Sequence, residues 1–198
     1  MTGPIRLYMS MSLDGFITGP EDGADHPLGI NGRRLHEWFN DGGTDPASHR
    51  PSSDPSAQVF DEMLATGAVI TGRRTFDIAH QWGGDHHDGV QIFVLTRKAP
   101  TENRWDNVHY VTDGIESCVA QAKKAAGNRN VLLHGAYTAQ ECLRARLLDE
   151  MEVALIPVLL GEGRRLFEDL GRDHIELEIL RTLEAPEVTH LRYRVQAK

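Results

Sequence analysis

NVLLHGAYTAQECLRARLLDEMEVALIPVLLGEGRRLFEDL, residues 130–170, is the stretch that decides the fold of this chain. The apolar run Val131–Leu133 predicts a buried strand, which ends at His134–Gly135. A helix-period stripe follows, formed by Ala136, Ala139, Leu143 and Leu147. The apolar run 151–160 predicts a second strand, ended by residues 161–163. Strand, glycine turn, helix and strand form a βαβ unit, whose crossover we expect to be right-handed.

The glycine turn at the end of the first strand is a candidate ligand-binding site. Gly135 lets a ligand approach the backbone closely. The unpaired N–H groups of Ala136, Tyr137 and Thr138 would point outward from the helix N-terminus, which favours an anion. The alternative is a packing turn that binds nothing, since glycine turns before helices are common.

Composition narrows the class of protein. The chain has 198 residues, of which 40% are apolar and 25% charged, and its formal net charge is −8. This length predicts one domain, residues 1–198, with a substantial core. The acidic balance argues against a nucleic-acid surface. No apolar run approaches membrane-spanning length, and no signal segment opens the chain. We therefore expect a cytoplasmic protein without a membrane partner.

The cysteines and histidines give no sign of a metal site. Cys118 and Cys142 fall in predicted helices, where we expect reduced core residues. The ten histidines are scattered, and no pair has the spacing of a zinc-binding helix. The adjacent pair His86-His87 is interpreted as part of a solvated loop.

The rest of the chain alternates predicted strands and helices. Strands are predicted at residues 5–12, 68–71, 90–95, 108–111, 175–183 and 188–195. Helices are predicted at about 32–39, at 59–66, from 72 until it fades at 82–84, and at 114–126, the last closed by Gly127. The remainder of residues 19–56 is predicted to be a long loop, which in a compact domain is either functional or disordered.

This order of elements predicts the fold class. Strands that alternate with helices indicate an α/β fold with a mostly parallel central sheet flanked by helices. The last two strands, separated by residues 184–187, indicate a C-terminal antiparallel hairpin.

Three predicted strand ends carry similar groups. Residues 68–71 lead into Gly72-Arg73-Arg74-Thr75, residues 90–95 into Thr96-Arg97-Lys98, and residues 131–133 into the glycine turn. Ligands of open α/β sheets bind outside the carboxyl ends of strands. A guanidinium, a hydroxyl and a helix N-terminus together suit phosphate groups, so we expect a ligand with several phosphates.

Common nucleotide and zinc motifs are missing. The chain contains no G-x-x-x-x-G-K-[ST], which excludes a P-loop. Residues 161–166 begin like a dinucleotide fingerprint, but Leu166 replaces its third glycine. His174-Ile175-Glu176 has the letters of a deaminase motif, but no P-C-x-x-C completes a zinc site.

Five segments in a specific order carry a family resemblance. They are residues 9–17, 69–76, 94–97, 133–136, and 148–150 together with 157–167. In this order they resemble the dihydrofolate-reductase-like superfamily. Within it, the chain looks like a stand-alone relative of the reductase domain of the bifunctional riboflavin-biosynthesis deaminase-reductase. The resemblance implies an NADPH-binding domain that delivers hydride.

The resemblance also implies roles for individual residues. Arg73, Arg74 and Thr75, after Gly72, would hold cofactor phosphates, and Thr96 with Arg97 would lie at the adenosine 2′-phosphate. The pyrophosphate would lie at Gly135 and the amides that follow it, those of Ala136, Tyr137 and Thr138. Met11, Ile17 and Thr18 would flank the nicotinamide.

Some positions depart from the family pattern. True dihydrofolate reductases have an acid in their first helix, and Leu35 takes that place here. Dihydrofolate is therefore not the expected substrate. Asp14 is the one acid in the turn beside the expected nicotinamide. It is either a proton donor or substrate-orienting group, or an Asp-Gly turn residue. Trp38 and Trp82 either stack on a planar substrate or serve as core or lid residues.

The sequence thus predicts an NADPH-dependent reductase of a small planar or carbonyl/imine substrate. A rival interpretation is a nucleotide-binding or sensor protein without turnover, and a third is a flavin-using quinone or nitro reductase. We also expect a homodimer, as in related reductase domains. The predicted C-terminal strands carry apolar residues that a monomer would leave at a sheet edge, namely Leu177, Ile179, Leu191 and Val195.

Overall fold

An eight-stranded sheet is built around strand β1, Ile5–Ser12. The computed structural model describes residues 2–39 and 50–196. β1 pairs in parallel with a strand on each side, with Leu7 opposite Leu133 on one side and Met151 on the other. Successive side chains of a strand point to opposite faces, so β1 contributes to a core on each face of the sheet.

The strands are β1 and β2 (Phe16–Thr18), β3 (Ala68–Gly72), β4 (Gln91–Leu95), β5 (Val108–Val111), β6 (Val131–His134), β7 (Glu150–Ile156), β8 (Arg164–Arg165), β9 (Leu177–Ala185) and β10 (Val188–Val195). The α-helices are α1 (Asp54–Leu64), α2 (Arg73–Ile78), α3 (Ile115–Ala126) and α4 (Ala136–Arg144), and two 3-10 segments span Gly32–Phe39 and His80–Gly84. The large sheet has the order β5-β4-β3-β6-β1-β7-β10-β9, and β2 pairs with β8 separately.

The sheet direction confirms the predicted class. β5, β4, β3, β6, β1 and β7 all run parallel to one another. β10 is antiparallel to both β7 and β9, so the C-terminal hairpin is confirmed. The βαβ unit of β6, α4 and β7 encloses β1, which lies between its two strands in the sheet.

Several predicted boundaries were wrong. β7 ends at Ile156 and not at residue 160, because Pro157 has no N–H to donate to a ladder. α1 begins at Asp54, five residues before the predicted start, since Pro55 is well tolerated in a first helical turn. The short strands β2 and β8 were not predicted. The helix predicted at 32–39 is present as a 3-10 helix, while residues 40–49 of the predicted loop lie outside the described residues.

Two apolar clusters cover opposite faces of the sheet. One packs the face of Leu7, Ile70 and Leu133 against α3 and α4. The other packs Val69, Leu132 and their neighbours, on the face of Tyr8, against Val59 of α1 and Phe76 of α2. Full burial of a leucine side chain stabilises the fold by roughly 1.5–3 kcal/mol. These clusters fix the strand ends on which the site is built.

The expectation of reduced core cysteines is confirmed. Cys118 of α3 and Cys142 of α4 are both buried and free. Burial raises the pKa of each thiol to about 12. Among the helices that the structure describes, none is long and apolar enough to cross a membrane.

Candidate functional site

The three phosphate-suited strand ends lie side by side. β4, β3 and β6 are neighbours in the sheet and run in the same direction. Gly72 at the end of β3 is opposite Leu95 of β4, and Thr71 is opposite His134 of β6. The groups that follow these strands therefore meet at one edge of the sheet, where ligands of open α/β folds bind.

A cleft of about 1100 Å³ opens along this edge. Most of the residues singled out from the sequence line it. They are Ile17, Thr18, Gly72, Arg73, Arg74, Thr75, Thr96, Arg97, Gly135, Ala136 and Tyr137, together with Trp38 and Trp82. A cleft of this size is large enough for a dinucleotide and a small second molecule.

Two predicted cofactor residues do not line the cleft. Met11 packs against the apolar cluster that contains Leu7 and Leu133, and it is not among the residues that line the cleft. Thr138 points its hydroxyl back into its own turn, where it donates to the carbonyl oxygens of His134 and Gly135. The hydroxyl of Thr138 thus closes the first turn of α4.

Asp14 serves the turn between β1 and β2. Its Oδ1 accepts a hydrogen bond from Ser12 Oγ at 2.6 Å and one from Leu160 N at 3.1 Å. Its Oδ2 accepts one from Gly161 N at 2.7 Å. These contacts, above all the one from Ser12, lower the pKa of Asp14 to about 2. Asp14 is not among the residues that line the cleft. The geometry therefore supports the turn role of Asp14 over proton donation.

The cleft arginines differ in their pairing. Arg73 forms an ion pair with Asp77 at 2.7 Å within α2. Arg74 forms an ion pair with Asp22 at 3.1 Å. Arg97 has no ion pair or hydrogen-bond partner among the described residues, although it lines the cleft. Arg97 is therefore the cleft arginine whose guanidinium is available to an anion without breaking an existing pair.

The N-terminus of α4 completes this end of the cleft. Gly135 has a φ of 90° and comes directly before Ala136, the first residue of α4. A Cβ at Gly135 would lie 2.6 Å from Thr75 Oγ1, so both the angle and the space require glycine. The Gly135–Ala136 peptide bond is trans. This close approach brings the amides of a helix N-terminus beside the hydroxyl of Thr75.

A chain of histidines reaches the wall of the cleft through His86 and His134. His86 and His87 do lie in a loop, but the prediction that this loop is solvated is wrong. His86 Nδ1 lies 2.7 Å from His87 Nδ1, and His86 Nε2 lies 3.0 Å from His134 Nε2. His87 is only 8% exposed. His134 Nδ1 lies 3.1 Å from the carbonyl oxygen of Tyr8, so this nitrogen carries a proton. Burial lowers the pKa of all three, that of His134 to about 4.

A left-handed segment directs Trp82 to the same wall. Gln81, Trp82 and Gly83 have φ angles of 58°, 48° and 60°. The Trp82 ring packs edge-on against Phe76 at 5.7 Å and against His86 at 4.6 Å between centroids. Left-handed backbone costs roughly 1–2 kcal/mol per non-glycine residue, which this aromatic packing offsets.

Ser10 of β1 and Glu152 of β7 are polar residues that also line the cleft. Trp38 Nε1 donates a hydrogen bond to Ser10 Oγ at 2.9 Å. Glu152 of β7 lines the cleft with its side chain only 1% exposed. Glu152 could not be identified from the sequence, because it lies within an apolar strand and belongs to no motif. His134 was not singled out from the sequence either, although it ends the apolar strand β6 and so lies at the ligand-binding edge of the sheet.

A protein-family model and a curated relative both match most of the chain. Residues 4–191 match the model of the RibD C-terminal domain family. The uncharacterized protein YyaP of Bacillus subtilis is 25% identical over 191 residues, which cover 90% of this chain and 87% of YyaP.

Two solved structures share the fold. A Shewanella sp. PV-4 protein named for riboflavin biosynthesis has a TM-score of 0.72 at 22% identity, covering all of both chains. Dihydrofolate reductase from Enterococcus faecalis, complexed with NADP(H), has a TM-score of 0.62 at 14% identity, covering 100% of this chain and 99% of that one. The fold is therefore dihydrofolate-reductase-like, and this chain, matched over nearly its whole length, belongs to the RibD C-terminal domain family.

Proposed function

We propose that this protein is an NADPH-dependent reductase that transfers hydride to a small planar or carbonyl/imine substrate. The observation that carries the proposal is a cleft that brings together Arg97, which has no ion pair among the described residues, Thr75 and the N-terminus of α4. A dinucleotide that carries an additional phosphate needs these separate anion-binding groups.

The residues present fit this cofactor. The amides at Gly135 and Ala136, with Thr75, would hold the pyrophosphate, and Arg97 with Thr96 would hold the 2′-phosphate. The hydroxyl oxygen of Thr18 is buried at the cleft and has no hydrogen-bond partner among the described residues. A buried hydroxyl of this kind is costly unless a ligand or water pairs with it. Thr18 is expected at the nicotinamide end, where the carboxamide of the cofactor would be such a partner.

The protein's own contribution is to bind, orient and exclude water. The bound cofactor would supply the hydride. Trp38 and Trp82 line the cleft and offer flat apolar surfaces for a planar substrate. Leu35 is fully buried in an apolar cluster, so the position of the acid in dihydrofolate reductases carries no proton donor here. The substrate is therefore expected to differ from dihydrofolate.

Cofactor binding is the first test, and Arg97→Ala is its variant. One charge-assisted hydrogen bond contributes roughly 1.5–3 kcal/mol, which is about a tenfold to hundredfold change in affinity. Arg97→Ala should weaken NADPH by that factor, leave NADH almost unchanged, and show a smaller difference in high salt. Titration calorimetry with both cofactors measures this. The matched control is Arg104→Ala, an exposed arginine outside the cleft.

Two results would contradict the placement of the phosphate. One is wild-type protein that binds NADH as tightly as NADPH. The other is an Arg97→Ala variant that loses affinity for both cofactors equally. Turnover is tested separately, by the loss of nicotinamide absorbance with a panel of carbonyl, imine and quinone compounds.

A second candidate function is a nucleotide-binding or sensor protein without turnover. The observation in its favour is that Asp14 is held by three hydrogen bonds outside the cleft lining and that Leu35 is apolar. NADPH binding without oxidation across the whole panel would support it.

A further inference from the structure

Glu152 has a carboxylate oxygen that the fold does not use. Its Oε2 accepts hydrogen bonds from Arg181 Nη2 at 3.2 Å and from Arg192 Nε. Its Oε1 is buried and has no hydrogen-bond partner among the described residues. A buried carboxylate oxygen without a donor costs free energy, so such atoms in native proteins have a reason to be there.

The charges around Glu152 are balanced. Glu62 of α1 contacts Arg181 through both its oxygens, at 2.7 and 3.0 Å, and also contacts Arg192. The two glutamates and the two arginines therefore sum to zero net charge. Because of this balance, a cation at Oε1 would gain little net attraction, and an anion would meet the lone pairs of Oε1 directly. What Oε1 lacks is a neutral donor.

The surroundings of this oxygen describe the shape of its partner. The cleft wall near α1 and the first 3-10 helix is aromatic and apolar, with Trp38, Phe39, Phe60 and Met63 in its lining. Ser10 Oγ already accepts a hydrogen bond from Trp38. A flat ring would be held by these apolar walls, with Glu152, which also lines the cleft, as the buried acceptor.

We propose that Oε1 of Glu152 accepts a hydrogen bond from a neutral N–H group on a planar substrate, and so selects amino- or imino-bearing rings over rings that carry only acceptors. The identification of this ligand as the substrate rests on the proposed reductase function. The binding site itself does not, because it can be measured on the protein without any cofactor.

The test uses two small probes of similar size. Aniline is neutral at pH 7.5 and offers N–H donors, whereas acetophenone offers only an acceptor. Wild-type protein should bind aniline at least tenfold more tightly than acetophenone, since a hydrogen bond to a charged group contributes roughly 1.5–3 kcal/mol. Titrations followed by NMR of 13C-labelled methionine methyl groups measure the affinity of each probe. Met63 lines the cleft, so a change in the chemical shift of its methyl group shows that the probe binds there.

Glu152→Gln is the decisive variant. The amide oxygen of glutamine can take the place of Oε2 between the two arginines, which leaves its NH2 group toward the cleft. The acceptor is then replaced by a donor, so the preference for aniline should disappear or reverse in favour of acetophenone. The matched control is Glu62→Gln, which removes the same charge from the same arginines but lies outside the cleft lining. It should keep the preference of the wild type.

The outcomes of these titrations test the Glu152 site separately from the proposed reductase function. Equal affinity of wild-type protein for both probes would overturn the role of Glu152, and this comparison stands even if Glu152→Gln fails to fold. An unchanged preference in a folded Glu152→Gln variant would also overturn it. NADPH binding is measured in separate titrations, so failure of the proposed reductase function and failure of the Glu152 site are distinguishable.

Discussion

The contacts of Asp14 favour its role in the turn over a role in proton donation. Three donors hold its carboxylate, and two of them are backbone amides of the segment that follows β7. An aspartate that fixes two distant chain segments has a structural task. Its hydrogen bonds are already committed, which leaves it poorly suited to hand a proton to a substrate.

The variant Asp14→Asn tests this conclusion. Its amide has one acceptor oxygen in place of two, so the variant should lose at least one of the backbone contacts at residues 160–161 and melt at a lower temperature than wild type. Turnover and NADPH affinity should stay near wild type at temperatures where it is folded. Asp106→Asn, at an exposed position without a side-chain hydrogen bond among the described residues, is the control. A hundredfold loss of turnover with an unchanged melting temperature would restore the catalytic interpretation.

Asp22 restrains two arginines of the cleft. Its carboxylate contacts Arg74 at 3.1 Å and Arg164 at 3.3 Å, and its own side chain is largely buried. Asp22→Asn would remove the negative charge that competes with a ligand phosphate for Arg74. We predict that NADPH affinity rises by roughly threefold to tenfold, about the effect of one partly exposed ion pair. The measurement is cofactor titration at low and high salt.

The reference for Asp22→Asn is Asp77→Asn, which should act in the same direction by freeing Arg73. If Asp22→Asn weakens NADPH while Asp77→Asn does not, Asp22 orders the loop around the ligand and does not compete with it. The two arginines would then be positioned by Asp22 for binding.

Some site residues can be predicted from the sequence and others cannot, for a physical reason. Gly135 directly follows β6 and Arg97 comes just after β4, so their place at the edge of a parallel sheet follows from topology. Glu152 and His86 reach the cleft only through cross-strand packing and a left-handed turn. Those relationships join residues that are distant in the chain, and no local pattern records them.

At the scale of elements, the segment His80–Gly84 carries backbone strain. Its left-handed residues include Gln81, whose φ is 58°. A β-branched side chain tolerates that region poorly, whereas glycine enters it freely. Gln81→Val should therefore destabilise the protein by roughly 1–2 kcal/mol, and Gln81→Gly should be close to neutral. Urea unfolding measures both changes.

The matched control is Gln121→Val on the exposed side of α3, where only a helix-propensity cost of roughly 0.5 kcal/mol is expected. Equal effects of valine at positions 81 and 121 would show that the left-handed conformation is not held in solution.

The predicted elements were most accurate where the apolar pattern was strongest. β1, β5 and β10 have the predicted boundaries, and α3 has the predicted C-terminal glycine, Gly127. β2 has only three residues, a length at which no periodicity can be recognised. Its pairing with β8 depends on two chain segments about 150 residues apart, which local sequence does not reveal.

At the scale of the whole molecule, the buried histidines predict how stability depends on pH. Burial lowers the pKa of His36, His134 and His190 to about 4. In the unfolded chain these groups titrate near 6.5, so between pH 6.5 and pH 4 the unfolded state binds more protons. The free energy of unfolding should be highest above pH 6.5 and should fall as the pH is lowered through this window.

Two glutamine variants check the origin of this dependence. His190→Gln, at a fully buried position, should reduce the slope of stability between pH 6.5 and 4. His174→Gln, whose side chain is 75% exposed, should leave the slope unchanged. The lowered pKa values of Asp14 and Glu62, each about 2, act only below pH 4.5 and so fall in a separate window. Equal slopes in all three proteins would contradict the histidine assignment.

The free edge of the sheet leads to the last prediction, a homodimer. β9 is the terminal strand of the sheet order, and it exposes 39% of Leu177 and 68% of Ile179. Leu191 and Val195 of β10 are half-buried, so β9 carries the exposed apolar surface of this hairpin. We propose that a second copy of the chain covers β9, because an apolar edge strand left in water promotes pairing.

Sedimentation velocity at micromolar concentration should give a dimer mass, and Ile179→Glu should convert it to a monomer. Leu159→Glu, at an equally exposed leucine of which 70% is accessible, should remain dimeric. A monomeric wild-type protein would contradict the proposed dimer. If Leu159→Glu dissociates the dimer and Ile179→Glu does not, the interface does not include β9.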